Sequence, residues 1–188
     1  MSFVQRRRFL WILFVGGLLL IGVVANATTL ARLHFDDMTK MASAVARVRC
    51  LTSAPLWRSG EIWTETRFLV EEQSKGSLPR TVIVEMPGGI LRNLHSRVEE
   101  VPAFRPGEEA YVFFWQAPQG DYRVLGWSQG TFRIVRDAET GAESVTQDSA
   151  AAPIFDPLTR RFRRGGIRRM PIGAFQLKLK RALQKDPR

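Results

Sequence analysis

The sequence predicts a mainly β protein, a small antiparallel barrel or sandwich, with a short N-terminal helix and a basic amphipathic C-terminal helix. Three observations carry this. Apolar residues recur with period two in short runs at intervals of about 10–20 residues, broken by Pro/Gly corners, the pattern of antiparallel all-β folds. One run, Ala110 to Trp115, is apolar throughout and predicts a strand covered on both faces. Helical spacing replaces period two only near the two ends of the mature chain.

Taken in order, residues 1–27 hold a basic start (Arg6, Arg7, Arg8), an apolar run from Phe9 to Val24, and Ala25-Asn26-Ala27. That three-part design is a secretory signal cleaved before Thr28. The alternative is an uncleaved inner-membrane anchor over residues 9–27, close to the about 20 residues a spanning helix needs. The expected location is therefore exported, periplasmic or extracellular.

Asp36 is placed to N-cap about two turns of helix carrying Met38, Met41, Ala42 and Val45. Ala44, Ala46, Val48 and Cys50 then alternate with Arg47 and Arg49 as a first strand, ended by Pro55 and the Arg58-Ser59-Gly60 turn. Ile62, Thr64, Thr66, Phe68 and Val70 share one face of a second strand, and Val82, Val84 and Met86 one face of a third. Residues 90–109 are irregular, and a corner anchored by Pro102, Phe104 and Pro106 is expected to cover a barrel end or a sheet edge. Residues 102–136 supply three consecutive strands, and Ala142 to Gln147 a weak last one. This bounds an antiparallel β domain at 28–152 and a basic tail with the C-terminal helix at 153–188. In that helix Ile172, Phe175, Leu179 and Leu183 form a stripe, with Lys178, Lys180, Arg181 and Lys185 off it.

The formal charge of +10 is unevenly placed. Residues 28–155 carry 14 Lys/Arg against 16 Asp/Glu, whereas residues 156–188 carry 11 against two. The basic character thus belongs to the termini and not to the β domain. A lone cysteine, Cys50, excludes an internal disulfide framework and reads as a small buried hydrophobe.

Gly126-Trp127-Ser128-Gln129-Gly130 matches the G-x-S-x-G elbow of hydrolases, but that pattern needs a helix after the serine and a histidine later in the chain. Here the following residues are strand-like, and His34 and His95 both precede Ser128. The alternative is a glycine-bounded connection between strands. No spaced metal motif or cofactor motif is present, so neither a metal nor a cofactor is expected. The candidate contact residues are Trp63, on the strand face opposite Ile62 and Phe68, where it could stack on a partner or pack in a second layer; Phe104 and Arg105 in the Pro102–Gly107 corner; and Arg160, Arg161, Arg163, Arg164, Arg168 and Arg169 in the tail. The arginines suit anionic headgroups or envelope polymers, since an exported protein rarely meets nucleic acid.

The order of segments ATTLARLHFDDM, AVARVRCL, EIWTETRFLVEE, VIVEMPGG, VPAFRPGEEAYVFF and VLGWSQGTFRI resembles a family of uncharacterised exported bacterial β-rich proteins, over nearly all of residues 28–180. The resemblance implies a small secreted β domain, sometimes encoded near matrixin-type metalloproteases, and transfers no activity and no catalytic residues. The strand order is also similar to the OB-like barrels of netrin and metalloprotease-inhibitor domains. Those barrels rely on several disulfides and an N-terminal cysteine, which this chain lacks.

The expectation is an exported, non-enzymatic binding or structural protein of the cell envelope that contacts a partner protein or an anionic envelope polymer or lipid. Membrane contact would run through the N-terminal segment or the basic C-terminal helix. The alternatives are a serine hydrolase using Ser128, a membrane-anchored structural protein, and a protease-associated inhibitor-like module.

Overall fold

One curled antiparallel sheet organises the chain. The computed structural model describes residues 30–185; the expected signal or anchor, residues 1–27, lies outside the described residues. The strands are β1 (Ala44–Arg58), β2 (Glu61–Lys75), β3 (Thr81–Pro87), β4 (Gly89–Leu91), β5 (Leu94–Ser96), β6 (Glu109–Gln116), β7 (Tyr122–Val124), β8 (Thr131–Arg136), β9 (Glu143–Gln147), β10 (Ile154–Asp156), β11 (Arg161–Arg163) and β12 (Met170–Pro171). The main sheet runs β12-β9-β8-β6-β1-β2-β3, and β7 pairs with the end of β6 that β8 leaves free. The mainly β prediction holds. Two helices complete the fold, α1 (Phe35–Met41) and α2 (Ile172–Gln184).

The apolar run at 110–115 is the central strand, and its two faces serve two cores. Ala110, Val112 and Phe114 point into one, with Ala44, Ala46, Val48 and Cys50 of β1, Phe68 of β2, and Val82, Val84 and Met86 of β3. Tyr111 and Phe113 point into the other, which α1 and α2 cover with Met38, Phe175 and Leu179. Period two with both faces filled is why this run needed no polar alternation. Burial pushes the Cys50 thiol above its ordinary pKa, in keeping with a core role.

The β1–β2 hairpin is longer than alternation suggested. Ser59 and Gly60 both have positive φ, the two-residue connection whose twist matches the flanking strands. Pro55 does not end β1 but pairs with Thr64 inside it. The reason is topological: β6 pairs only with residues 44–49 of β1, so the distal half has one free edge that tolerates a missing N–H. Three register shifts along β1–β2 add the local twist that bulges produce.

The helices refine the reading at both ends. α1 starts at Phe35 with His34 as its N-cap, two residues before the expected Asp36, and no side chain caps it. Asp36 instead pairs with Lys185 of α2 at 2.8 Å. Met41 leaves the predicted stripe and is 53% exposed. Among the described residues the basic segment is joined to the β domain: β12 pairs with β9, and Phe175, Leu179 and Ala182 of the C-terminal helix are buried. Among the described residues no helix is long and apolar enough to cross a membrane.

Beside the second core, Arg47 joins Glu109, Glu143 and Glu71, while Arg49 bridges Glu71 and Glu109 and Arg136 bridges Glu143. Burial opposes the Arg47 charge, but hydrogen bonds to Glu143 and Glu109 outweigh it and raise its pKa. Arg47 in turn holds Glu143 below its ordinary 4.5. A lowered carboxyl stabilises the fold above its ordinary pKa and loses that contribution as pH falls through the lowered value. Arg47→Met should therefore lower stability at neutral pH and shrink the difference from wild type as the solution is acidified, a convergence that urea unfolding between about pH 7 and pH 3 would measure.

Candidate functional site

The tail arginines are presented by a small hairpin. β10 and β11 pair in the register Ile154 to Arg163 and Asp156 to Arg161, and residues 157–160 form the connection. Asp156 shapes that connection by accepting the amides of Leu158 at 2.9 Å and Thr159 at 3.3 Å from its Oδ1. Burial opposes its charge, yet the amides prevail and its pKa is lowered. The base is anchored to the start of the described chain: Arg32 donates its amide to the Phe155 carbonyl at 2.7 Å and its guanidinium to the Arg163 carbonyl at 2.5 Å. Ile154 is buried and the Phe155 and Phe162 rings meet edge-on at 5.4 Å.

Beyond that base the hairpin is an exposed finger. Leu158 is 79% and Phe162 63% exposed, and Arg160, Arg161, Arg163 and Arg164 are all exposed around them. Two large apolar side chains in water, ringed by guanidinium groups, are an unusual use of a small hairpin. Arginine forks match the oxygens of phosphate or carboxylate groups. Leu158 and Phe162 escaped the sequence reading because the finger has no sustained period; Asp156-Pro157 was the signal that a turn begins there.

The other two tail arginines differ. Arg168 is committed to the fold, donating from Nε to the Ala150 carbonyl at 3.2 Å. Arg169 lies at positive φ beside β12, and its amide donates to Thr146 Oγ1. α2 keeps its cations in water but turns its apolar stripe onto the second core, so that stripe is not available to a lipid surface.

Phe104 is a correction. It is 5% exposed and plugs the first core, edge-on to Phe68 at 4.7 Å, with the Arg133 guanidinium 4.1 Å from its ring centre. A side chain of that size gains more from filling an open barrel end than from water. The corner does cover the end of the curled sheet, as expected, but Phe104 offers no ring to a partner. Arg105 is exposed on the same loop.

Ser128 sits in a 3-10 turn, Trp127–Gly130. Its hydroxyl donates to Glu100, and its amide to the Glu100 carbonyl at 3.0 Å. Neither His34 nor His95 is hydrogen-bonded to it among the described residues. The motif's glycines have backbone reasons: Gly126 takes φ +61, and a Cβ on Gly130 would lie 1.9 Å from the Leu125 carbonyl oxygen. The turn pins the loop that delivers Phe104.

Trp63 is half-buried on the outer face of β2. With Ile83, Trp127 and Arg123 it lines an open cleft of about 580 Å³ between β3 and β7. The structure thus offers two separate surfaces, the finger and this cleft. Among the described residues no group of three or more His, Cys, Asp or Glu side chains could hold a metal ion. No family model matches the chain, and comparison with curated proteins finds no significant match.

Proposed function

We propose that this is an exported, non-enzymatic binding protein of the cell envelope that rests on an anionic lipid surface through the 154–163 finger. The observation that carries the reading is the company of Leu158 and Phe162, both exposed, with exposed Arg160, Arg161 and Arg163 on an anchored hairpin and exposed Arg164 just beyond it. Each arginine near an anionic surface contributes about 1 kcal/mol. Leu158 and Phe162 add apolar transfer that salt does not screen. The near-neutral β body explains why the contact is local and not a property of the whole surface.

Sedimentation of the exported chain with vesicles tests this. Vesicles of phosphatidylglycerol should carry it down, and vesicles of phosphatidylcholine should not. Raising salt should weaken the association without abolishing it. Reversing Arg160, Arg161 and Arg163 to Glu should remove it, and Leu158→Ser with Phe162→Ser should remove the salt-resistant part. Equal binding to both lipids, or binding indifferent to the arginines, would sink the proposal. Sequencing the N-terminus of the same sample separates finger from anchor, because a chain that begins at Thr28 has no segment 9–27 with which to hold the membrane.

A further inference from the structure

A small cavity lies at the base of the finger. It measures about 130 Å³ and is lined by Arg32 and His34 ahead of α1, by Met38 within α1, by Ser149, by Ile154 at the start of β10, and by Gly165 and Gly166. His34 and Gly166 are exposed, so the cavity opens to solvent beside them. The glycine pair is what lets the chain pass this close. A Cβ on Gly165 would lie 3.1 Å from an Arg32 guanidinium nitrogen, and one on Gly166 would lie 2.6 Å from Gln147 Oε1.

Much of the polar wall is already paired. Gln129 accepts the Leu33 amide at 2.7 Å and donates to the Ala31 carbonyl at 2.9 Å, while Gln147 accepts the Ile167 amide at 3.3 Å and donates to the Gln129 carbonyl at 2.6 Å. Two groups stand apart. Ser149 is 1% exposed and lines the cavity, and its hydroxyl has no hydrogen-bond partner among the described residues, whereas buried hydroxyls are as a rule paired. Arg32 is the other. Its guanidinium meets only neutral carbonyls, those of Arg163 at 2.5 Å and Gly165 at 3.5 Å, and its Nε is buried without a partner.

No carboxylate among the described residues lies within ion-pair distance of Arg32. Asp156, the carboxylate of the same hairpin, is committed to the Leu158 and Thr159 amides. A half-buried cation with no counter-charge is costly to a fold. A water molecule would fill the space but would not balance the charge.

The two groups select the occupant by charge and by number. The charge calls for an anion, and one guanidinium with one hydroxyl matches the two oxygens of a carboxylate. A phosphate, with more oxygens and more charge, would leave acceptors against Met38 and Ile154, which are buried and apolar. Those side chains suit a hydrocarbon group instead. A cavity of about 150 Å³ takes benzene, so a ligand of about six non-hydrogen atoms fits here.

We propose that the cavity binds a small organic monocarboxylate the size of butyrate, with its carboxylate on Arg32 and Ser149 and its alkyl chain on Met38 and Ile154. Arg32 also holds the Arg163 carbonyl, so ligand and finger share an anchor, but the site does not depend on lipid binding.

Titration of the exported chain with sodium butyrate tests the proposal, at constant ionic strength with chloride as the anion replaced and with no vesicles present. The backbone amides of Ser149, Gly165 and Gly166 should shift in proton–nitrogen correlation spectra and saturate with a Kd of about 1 mM or tighter. Butyramide, the neutral isostere, and phosphate should each bind roughly tenfold or more weakly. Ser149→Ala leaves the Arg32 anchor of the finger in place and should weaken butyrate roughly tenfold. Arg32→Gln should abolish binding; because it also removes that anchor, Ser149→Ala is the deciding variant. Absence of a saturable shift up to about 50 mM butyrate would overturn the inference. So would equal binding of butyramide, the mark of a merely apolar hole, tighter binding of phosphate, or butyrate binding unchanged in Ser149→Ala. With no lipid in the sample, any of these failures leaves the contact made by the finger untouched.

Discussion

Phe175→Ala is expected to destabilise the protein by about 3–5 kcal/mol, the cost of emptying a well-packed aromatic site. Phe175 is fully buried and touches Tyr111 at 4.9 Å, Phe132 at 5.2 Å and Phe35 at 5.8 Å between ring centres. It thus ties α2 to β6, to β8 and to α1 at once, and no neighbour can collapse into the space without unstacking another ring. Leu177→Ser on the same helix is the control, since Leu177 is 49% exposed, and it should shift stability by no more than about 0.5 kcal/mol. Urea unfolding of both variants measures this. Were α2 a detachable amphipathic segment waiting for a membrane, the two substitutions would be alike in their small effect on unfolding. A loss confined to Phe175→Ala instead makes residues 172–184 part of the second core.

What could be read from the chain and what could not divides by the range of the interaction. Val82, Val84 and Met86, or Phe175 and Leu179, announce their burial through spacing alone, because one face of a strand or helix must meet the core wherever that core lies. Phe104 announces nothing. It stands in a loop between two prolines, and its burial depends on Phe68, thirty-six positions earlier, and on Glu100 meeting Ser128. Pro55 misled for the opposite reason: its local preference to end a strand is real, but the free edge of distal β1 removes the penalty. The finger lay between these cases. Its arginines were evident in composition, whereas the exposure of Leu158 and Phe162 follows from an anchor, Arg32 to Arg163, that spans 131 residues of sequence.

Arg133→Met is the second substitution expected to act strongly, at about 2 kcal/mol at neutral pH, below the range for removing one partner of a fully buried ion pair because Arg133 and Asp148 are both partly exposed. Arg133 binds Glu108 at 2.6 Å and Asp148 at 3.0 Å, donates to the Ala103 carbonyl at 2.6 Å, and covers the ring of Phe104. One guanidinium thereby fixes the plug of the first core, the loop that carries it and the end of β9. Burial already pushes Asp148 above its ordinary 3.8, against the lowering by Arg133, and methionine would leave that burial unopposed. A carboxyl with a raised folded pKa stabilises fully below its ordinary value and loses that contribution as pH rises through the raised one. The deficit of Arg133→Met should thus be greatest near neutrality and shrink toward about pH 4. Adding Asp148→Leu should restore most of the loss at neutral pH, because the buried charge goes with its partner. Urea unfolding of the single and double variants across that range decides it. A deficit independent of pH and not relieved by Asp148→Leu would mean that Arg133 acts through packing on Phe104 and not through its carboxylates.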